Sequence, residues 1–460
     1  MNILIQQIEN NQINALNIEI FYLNLPYQLI KPKSMNNLAI NRIILYCIGG
    51  IFMVSCSGTG EEKVSALEPK PSPKVETLHH VSMKKAKENV LNFVSLANKG
   101  TRASARKWAI SDIQPVVNPY TRSTANGQED TLLYIVNMAD SAGFAIATAD
   151  DRLPPILALA DEGNYTFNRN DTVTSGFHLF MQAALNYCAR QKELAQTRKN
   201  APIEHETDPE APKPPVRTPK FEVMKPLLHC KWGQDDPYNK YCSGNLTGCV
   251  ITAAAQIMSF LEKPSRMESN HFLGKPKVTN LNWKLINEDA KKNAQPSSEE
   301  AKDQIACMMH HLGLMFRADY GKDATSADTE TAVLTMQCYY HCDGTDLLHY
   351  NCNNMIGDLR THNKIIIMSG KSRFYHTWLV IPNYAGGHAW VVDGYIDYVP
   401  GWNIWEYFYL HCNWGWKGMY NGYFLDNVFN TDEGPVYDDN GKQTRSHFRF
   451  KLKYATFTKH

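Results

Sequence analysis

The stretch Thr247-Gly248-Cys249-Val250-Ile251-Thr252-Ala253-Ala254-Ala255-Gln256-Ile257-Met258 constrains this chain more than any other. A glycine and a cysteine open a run of strong helix formers that continues to Leu261 and must stop near Pro264. Cys249 therefore falls in the first turn of a buried, Ala-rich helix. Unpaired backbone N–H groups and the positive helix end favour thiolate over thiol there. A lone cysteine before an apolar helix is more often core packing, so the stretch does not decide by itself. Two later stretches bear on it: Gly386-Gly387-His388, which begins a strand, and Asn413-Trp414-Gly415-Trp416. A thiol at a helix start followed by a His and then an Asn is an order that suits nucleophilic catalysis.

The 460 residues suffice for two or three domains. Lys plus Arg (47) balance Asp plus Glu (46), so no global field points to nucleic acid. Of the eleven cysteines some can pair if the chain is exported, but spacing does not give the connectivity. No stretch reaches the roughly 20 apolar residues of a membrane-spanning helix.

Residues 1–34 carry no readable pattern and are expected to be a spurious start extension. From Met35 to Cys56 the layout is that of a bacterial lipoprotein signal: Arg42, the apolar run Ile43 to Val54, then Ser55-Cys56. Cys56 is the expected lipidation site, with an anchor to a bacterial membrane, and residues 57–78 read as linker. Residues 79–189 read as a small α+β module. Val81-Ser82-Met83 leads into Ala86, Val90, Phe93, Val94 and Ala97 at helical spacing; strands are expected at Leu132–Val136, Gly143–Thr148 and Ile156–Leu159, and a helix over Phe177–Tyr187. The module has no cluster of nucleophile, base or ligands. Residues 190–220 are charged and proline-rich, a stretch accessible to proteolysis.

Residues 221–460 carry the chemistry. Trp232-Gly233-Gln234-Asp235-Asp236-Pro237-Tyr238-Asn239 precedes the Cys249 helix by one loop, and a Gln234 amide paired with the Cys249 N–H can serve a developing oxyanion. His388, beside glycines that leave room for a substrate backbone, suits a general base. After a second strand (Trp405–Leu410), Asn413 can accept the His388 ring N–H while Trp414 shields that bond from water.

Together GQDDPYN, TGCVITAAAQIM, LGLMFRADYG, GGHAWVVDGY and NWGWKGMYNGYF resemble the streptopain family of cysteine peptidases, in that family's order. More weakly, GFAIATADDRLPPILALADEG is similar to the family's propeptide. The resemblance implies a papain-like α+β fold, a helical part carrying Cys249 and an antiparallel sheet carrying His388. It implies a small α+β propeptide before it that covers the active site. It places the nucleophile on Cys249, the base on His388, the oxyanion glutamine on Gln234 and the supporting pair on Asn413 and Trp414, without saying which of that pair orients the histidine. Two departures concern loops near the cleft: a longer loop between Gly370 and Gly386, and an acidic Thr431–Gln443 where the family has a glycine-rich loop.

The expected protein is a secreted or surface-anchored bacterial endopeptidase made as a zymogen, acting on proteins or peptides and needing no cofactor or metal. The spacing of Cys338, Cys342 and Cys352 lacks the paired knuckles of structural zinc. A Cys-His cell-wall amidase shares the chemistry, but Gln234 and the NWGW stretch favour the peptidase. A surface lipoprotein that binds ligands or inhibits a peptidase would not need Gln234, Cys249, His388 and Asn413 together.

Overall fold

The computed structural model describes residues 79–98, 108–119, 130–168, 175–200, 218–242, 245–269, 277–321, 324–377, 381–400, 406–429 and 450–460. The start extension, the signal with Cys56, the 57–78 linker and the acidic Thr431–Gln443 stretch lie outside the described residues. No helix among the described residues is long and apolar enough to cross a membrane.

The N-terminal module is built from α1 (Met83–Asn98), β1 (Ile110–Val117), β2 (Thr131–Met138), β3 (Phe144–Thr148), β4 (Ile156–Ala160) and α2 (Gly176–Asn200). Ala86, Val90, Phe93 and Val94 recur on one face of α1, and that face is the buried one. The four strands form an antiparallel meander. α2 runs beyond the Arg190 boundary expected for the linker. Residues 190–200 are mostly straight-chain helix formers, and the first proline comes only at Pro202.

The C-terminal part comprises β5 (Lys220–Met224), α3 (Cys249–Leu261), β6 (Arg266–Ser269), β7 (Lys277–Asn280), α4 (Trp283–Asn293), α5 (Glu299–Met315), β8 (Asp319–Tyr320), β9 (Thr325–Ser326) and α6 (Thr329–Cys338). There follow β10 (Leu348–His349), α7 (Cys352–Leu359), β11 (Lys364–Thr377), β12 (Ile381–Val399), β13 (Tyr407–Asn413), β14 (Gly422–Leu425), α8 (Asp426–Phe429) and β15 (Phe450–Thr458). Lys220 already belongs to β5, so the expected linker is shortened at this end too. Within the 370–386 stretch expected as a loop, residues 371–377 of β11 pair with residues 381–387 of β12, from Lys371↔Gly387 to Thr377↔Ile381. His388 consequently lies in the middle of β12 rather than at a strand start.

One 11-stranded sheet joins module and C-terminal part, in the order β1-β2-β3-β4-β14-β13-β12-β11-β15-β10, with β5 pairing β12 off this path. Strand alternation divides its side chains between two cores. Ile365, Ile367, Ala389 and Val391 pack with α3 and α5, whereas Ile366, Met368, Trp390 and Val392 pack with residues of the module. Phe93 of α1 seals the second core, with ring centroids 5.2 Å from Phe221, 5.7 Å from Tyr398 and 5.1 Å from Tyr409. Burying one such phenylalanine contributes about 1.5–3 kcal/mol.

Candidate active site

α3 begins where the sequence requires. Gly248 has φ +97°, a conformation other residues rarely adopt, and it turns the chain so that Cys249 is the first helical residue. Behind it, Val250 to Ser259 are buried without exception. The Thr247 and Thr252 hydroxyls meet at 2.9 Å and brace the first turn. Cys249 itself is only partly buried.

The thiol has three sources of stabilisation. The Ala389 N–H of β12 donates to Sγ at 3.4 Å. Burial opposes the charge, but the charge and hydrogen bond of His388, with the backbone N–H groups of Ala389 and Val250, outweigh it. The Cys249 thiol is thereby held below its ordinary value. The other described cysteines are also free thiols, and burial pushes Cys188, Cys230, Cys342 and Cys412 upward. Cys249 is set apart by this opposite shift.

His388 Nε2 lies 3.2 Å from the Trp414 carbonyl oxygen. A carbonyl only accepts, so Nε2 carries a proton and Nδ1 is the nitrogen left to exchange one with Cys249. The ring is flanked by Trp390, stacked at 6.1 Å, and by Trp414 at 6.3 Å. The expected hydrogen bond from His388 to the Asn413 side chain is not formed. Asn413 Oδ1 accepts from Gln256 Nε2 at 3.2 Å and from Gly415 N at 3.2 Å, which fills its two lone pairs. Its amide donates to the Cys230 carbonyl at 3.1 Å. Trp414 thus both flanks the ring and holds it, through its backbone.

Gln234 is 3% exposed, and its Nε2 is buried without a hydrogen-bond partner. An orphaned buried donor is costly in a resting protein and is what a site awaiting an oxyanion requires. The loop that carries it is pinned by the Thr247 N–H on the Gln234 carbonyl, at 2.9 Å, and by the Lys417–Asp235 ion pair, at 2.8 Å.

Three contributors escaped the sequence. Gln256, fully buried, ties α3 to Asn413 and to the Trp232 carbonyl. It lies seven residues after Cys249, two helical turns along the same face, so a lone amide in an apolar helix was a readable signal. The Ala389 N–H had no signal. Nor had Gly176, the first residue of α2: a Cβ there would lie 2.5 Å from His388 Cδ2 and collide with the Trp414 ring. The module's backbone therefore rests on the His388–Trp414 pair.

Both parts of the chain are similar to known proteins. Residues 232–424 match the Peptidase C10 family, and residues 78–188 match the Spi protease inhibitor family. Streptopain of Streptococcus pyogenes serotype M28 (strain MGAS6180) is 24% identical over 388 residues, covering 75% of this chain and 85% of its own. The thiol protease/hemagglutinin PrtT of Porphyromonas gingivalis is 24% identical over 370 residues, covering 72% of this chain and 39% of its own. The solved prointerpain A fragment of Prevotella intermedia superposes with a TM-score of 0.46 at 19% identity, over 76% of this chain and 98% of that one.

Proposed function

We propose that this chain, whose residues 232–424 match the Peptidase C10 family and residues 78–188 the Spi protease inhibitor family, is a cysteine endopeptidase zymogen whose chemistry is performed by Cys249 and His388. The Cys249 thiolate attacks a peptide carbonyl carbon, and the oxyanion takes hydrogen bonds from Gln234 Nε2 and the Cys249 N–H. His388 delivers a proton to the departing amine as the C–N bond breaks. Water, deprotonated by His388, then releases the acid and restores the thiol. The observation that carries this reading is the Cys249 thiol at the head of a buried helix, taking the N–H of Ala389, the residue after His388, at 3.4 Å. Titration of the active protein with a peptidyl epoxide or chloromethyl ketone tests it: one equivalent should abolish hydrolysis of casein and appear on Cys249. Labelling elsewhere, with activity intact, removes the assignment.

Residues 79–200 act as the zymogen's inhibitory module, and cutting after Asn200 and before Lys220 releases it. Support comes from Gly176 seated on His388 and from Lys220, which pairs with the buried Asp397 at 2.5 Å and so belongs with the mature enzyme. Residues 35–56 export the protein as a secreted or lipid-anchored bacterial surface enzyme, with Cys56 lipidated. Cys56→Ser should then move it from the membrane fraction to the soluble one; unchanged fractionation refutes the anchor.

A further inference from the structure

The module is held at a second place, away from the dyad. β4 runs antiparallel to β14 in the register Phe424↔Ala158, Tyr423↔Leu159, Gly422↔Ala160. Gly422 permits this closeness, since a Cβ there would lie 2.6 Å from Ala160 Cα. One residue past the ladder, the Asp161 N–H donates to the Asn421 carbonyl at 2.9 Å. Its carboxylate meets His411 Nε2 at 3.0 Å, and His411 Nδ1 meets Asp393 Oδ1 at 2.6 Å. Carboxylates only accept, so both ring nitrogens donate and the ring is an imidazolium.

His411 on β13 is 3% exposed. The groups facing it are Asp393 on β12, Asp161 after β4, and the Tyr423 ring on β14 at 4.9 Å. Cys230 and Cys412, near Asp393, are kept as thiols by burial. Asp393 is occupied on its far side by the Leu228 N–H at 2.9 Å. Burial alone would neutralise His411; the two carboxylates reverse that and push it up to about 10. Beyond it the next residue repeats the charge pattern, with Glu162 3.0 Å from Lys231.

We propose that the outer edge of β14 together with His411 is a recognition site for an extended protein segment that carries a carboxylate one residue beyond its last paired position. The module's Ile156–Asp161 is its occupant in this chain. Once the module has left, the unpaired edge and the His411 ring, still hydrogen-bonded to Asp393, are open to such acidic segments from proteins in trans. This rests on the propeptide reading given above. Specificity is divided between the two elements: the edge selects extended backbone, and His411 selects the anion. The site also reports to the dyad. Asn421, whose carbonyl takes the Asp161 N–H, accepts the Trp414 N–H on its side chain at 3.0 Å, and the Trp414 carbonyl holds His388.

The test uses the full chain as Cys249→Ala, nicked by a trace of external protease within 201–217, with the pieces separated by size exclusion. Asp161→Asn should weaken their association about 10- to 100-fold at pH 7, the effect of one hydrogen bond to a charged group. Asp161→Glu should recover part of it. The difference should disappear as pH rises past the His411 titration, because the neutral ring no longer prefers a carboxylate. On the same nicked protein, a synthetic peptide of residues 155–163 should displace the module at concentrations at which the same peptide bearing Asp161→Asn does not. Equal retention of wild-type and Asp161→Asn modules at every pH, or equal competition by the two peptides, overturns the proposal. If nicked protein with Cys249 intact is fully active while the pieces stay together, the inhibitory reading fails and the recognition site stands.

Discussion

The proposed nucleophile and the proposed base are held by different means. Cys249 stands at the end of a helix whose interior is entirely buried, with its first turn braced by Thr247 and Thr252 and its second tied to Asn413 by Gln256. All of those groups lie in the C-terminal part. His388 stands mid-strand, on the sheet face shared with the module, held by one carbonyl and two indoles and touched by Gly176. The thiol is thus placed by the peptidase alone, while the imidazole is the partner that the module reaches. On the proposed zymogen reading, inhibition would act at the base and leave the nucleophile formed.

The largest effect should come from breaking the thiol side. Cys249→Ala should lower hydrolysis at least about 10³-fold, with little loss of stability, as a thermal melt beside the activity assay would verify. His388→Ala should remove activity to a similar degree, with an added signature. The Cys249 thiol is lowered chiefly through His388 against the cost of burial, so without that ring the thiol titrates higher. The rise in iodoacetamide alkylation rate with pH should accordingly shift to the alkaline side. An unshifted profile would mean that the helix end alone sets the thiolate.

Gln234→Ala comes next, with kcat reduced on the order of 10²-fold, the usual effect of one lost oxyanion donor. Because Gln234 Nε2 has no partner in the resting protein, the same change should leave stability unaltered or raise it slightly. A large drop in melting temperature would show the amide to be structural.

Smaller again is Gln256→Leu, which cuts the tie between the two sides while leaving both reacting groups in place. A kcat about 10-fold lower with KM unchanged is expected, the effect of a shift of roughly 1.4 kcal/mol in the barrier. An equal change in KM would indicate a general loosening of the cleft.

The smallest effect is a gain. Gly176→Ala pushes a methyl group against His388 and Trp414, so the uncut chain should show a few-fold higher basal activity with normal activity after cutting. If basal activity stays flat, the module's hold does not pass through this contact.

Much of this was legible in the chain. The Cys249 helix could be bounded to the residue, since glycine and proline bracket an uninterrupted run of helix formers. Three of the module's four strands, β2 to β4, declared themselves by apolar runs between turn residues, whereas β1, with Asp112, Gln114 and Pro115 inside it, did not. What escaped were features that depend on a partner distant in sequence. Asn413 was expected beside His388, but an amide with two acceptor sites goes wherever donors are, and Gln256 and Gly415 are nearer. Residues 371–377 and 381–386 lack the regular alternation of a strand, yet they pair because each side supplies the other's hydrogen bonds. That the module extends the same sheet was unreadable, since β4 and β14 look like ordinary strands until they meet.

That shared sheet also sets a schedule. β4 is synthesised long before the strand that covers it: Ala160 and Gly422 are 422 − 160 = 262 residues apart, which at ~5–20 residues per second amounts to roughly 13–50 s. Throughout that interval its outer edge is an open template of the kind that joins neighbouring chains. The chain places acid at both ends of the waiting strand, Asp150 and Asp151 before it and Asp161 and Glu162 after it. The carboxylates that later meet His411 and Lys231 are therefore also the charges that keep an unfinished chain from pairing with its neighbours.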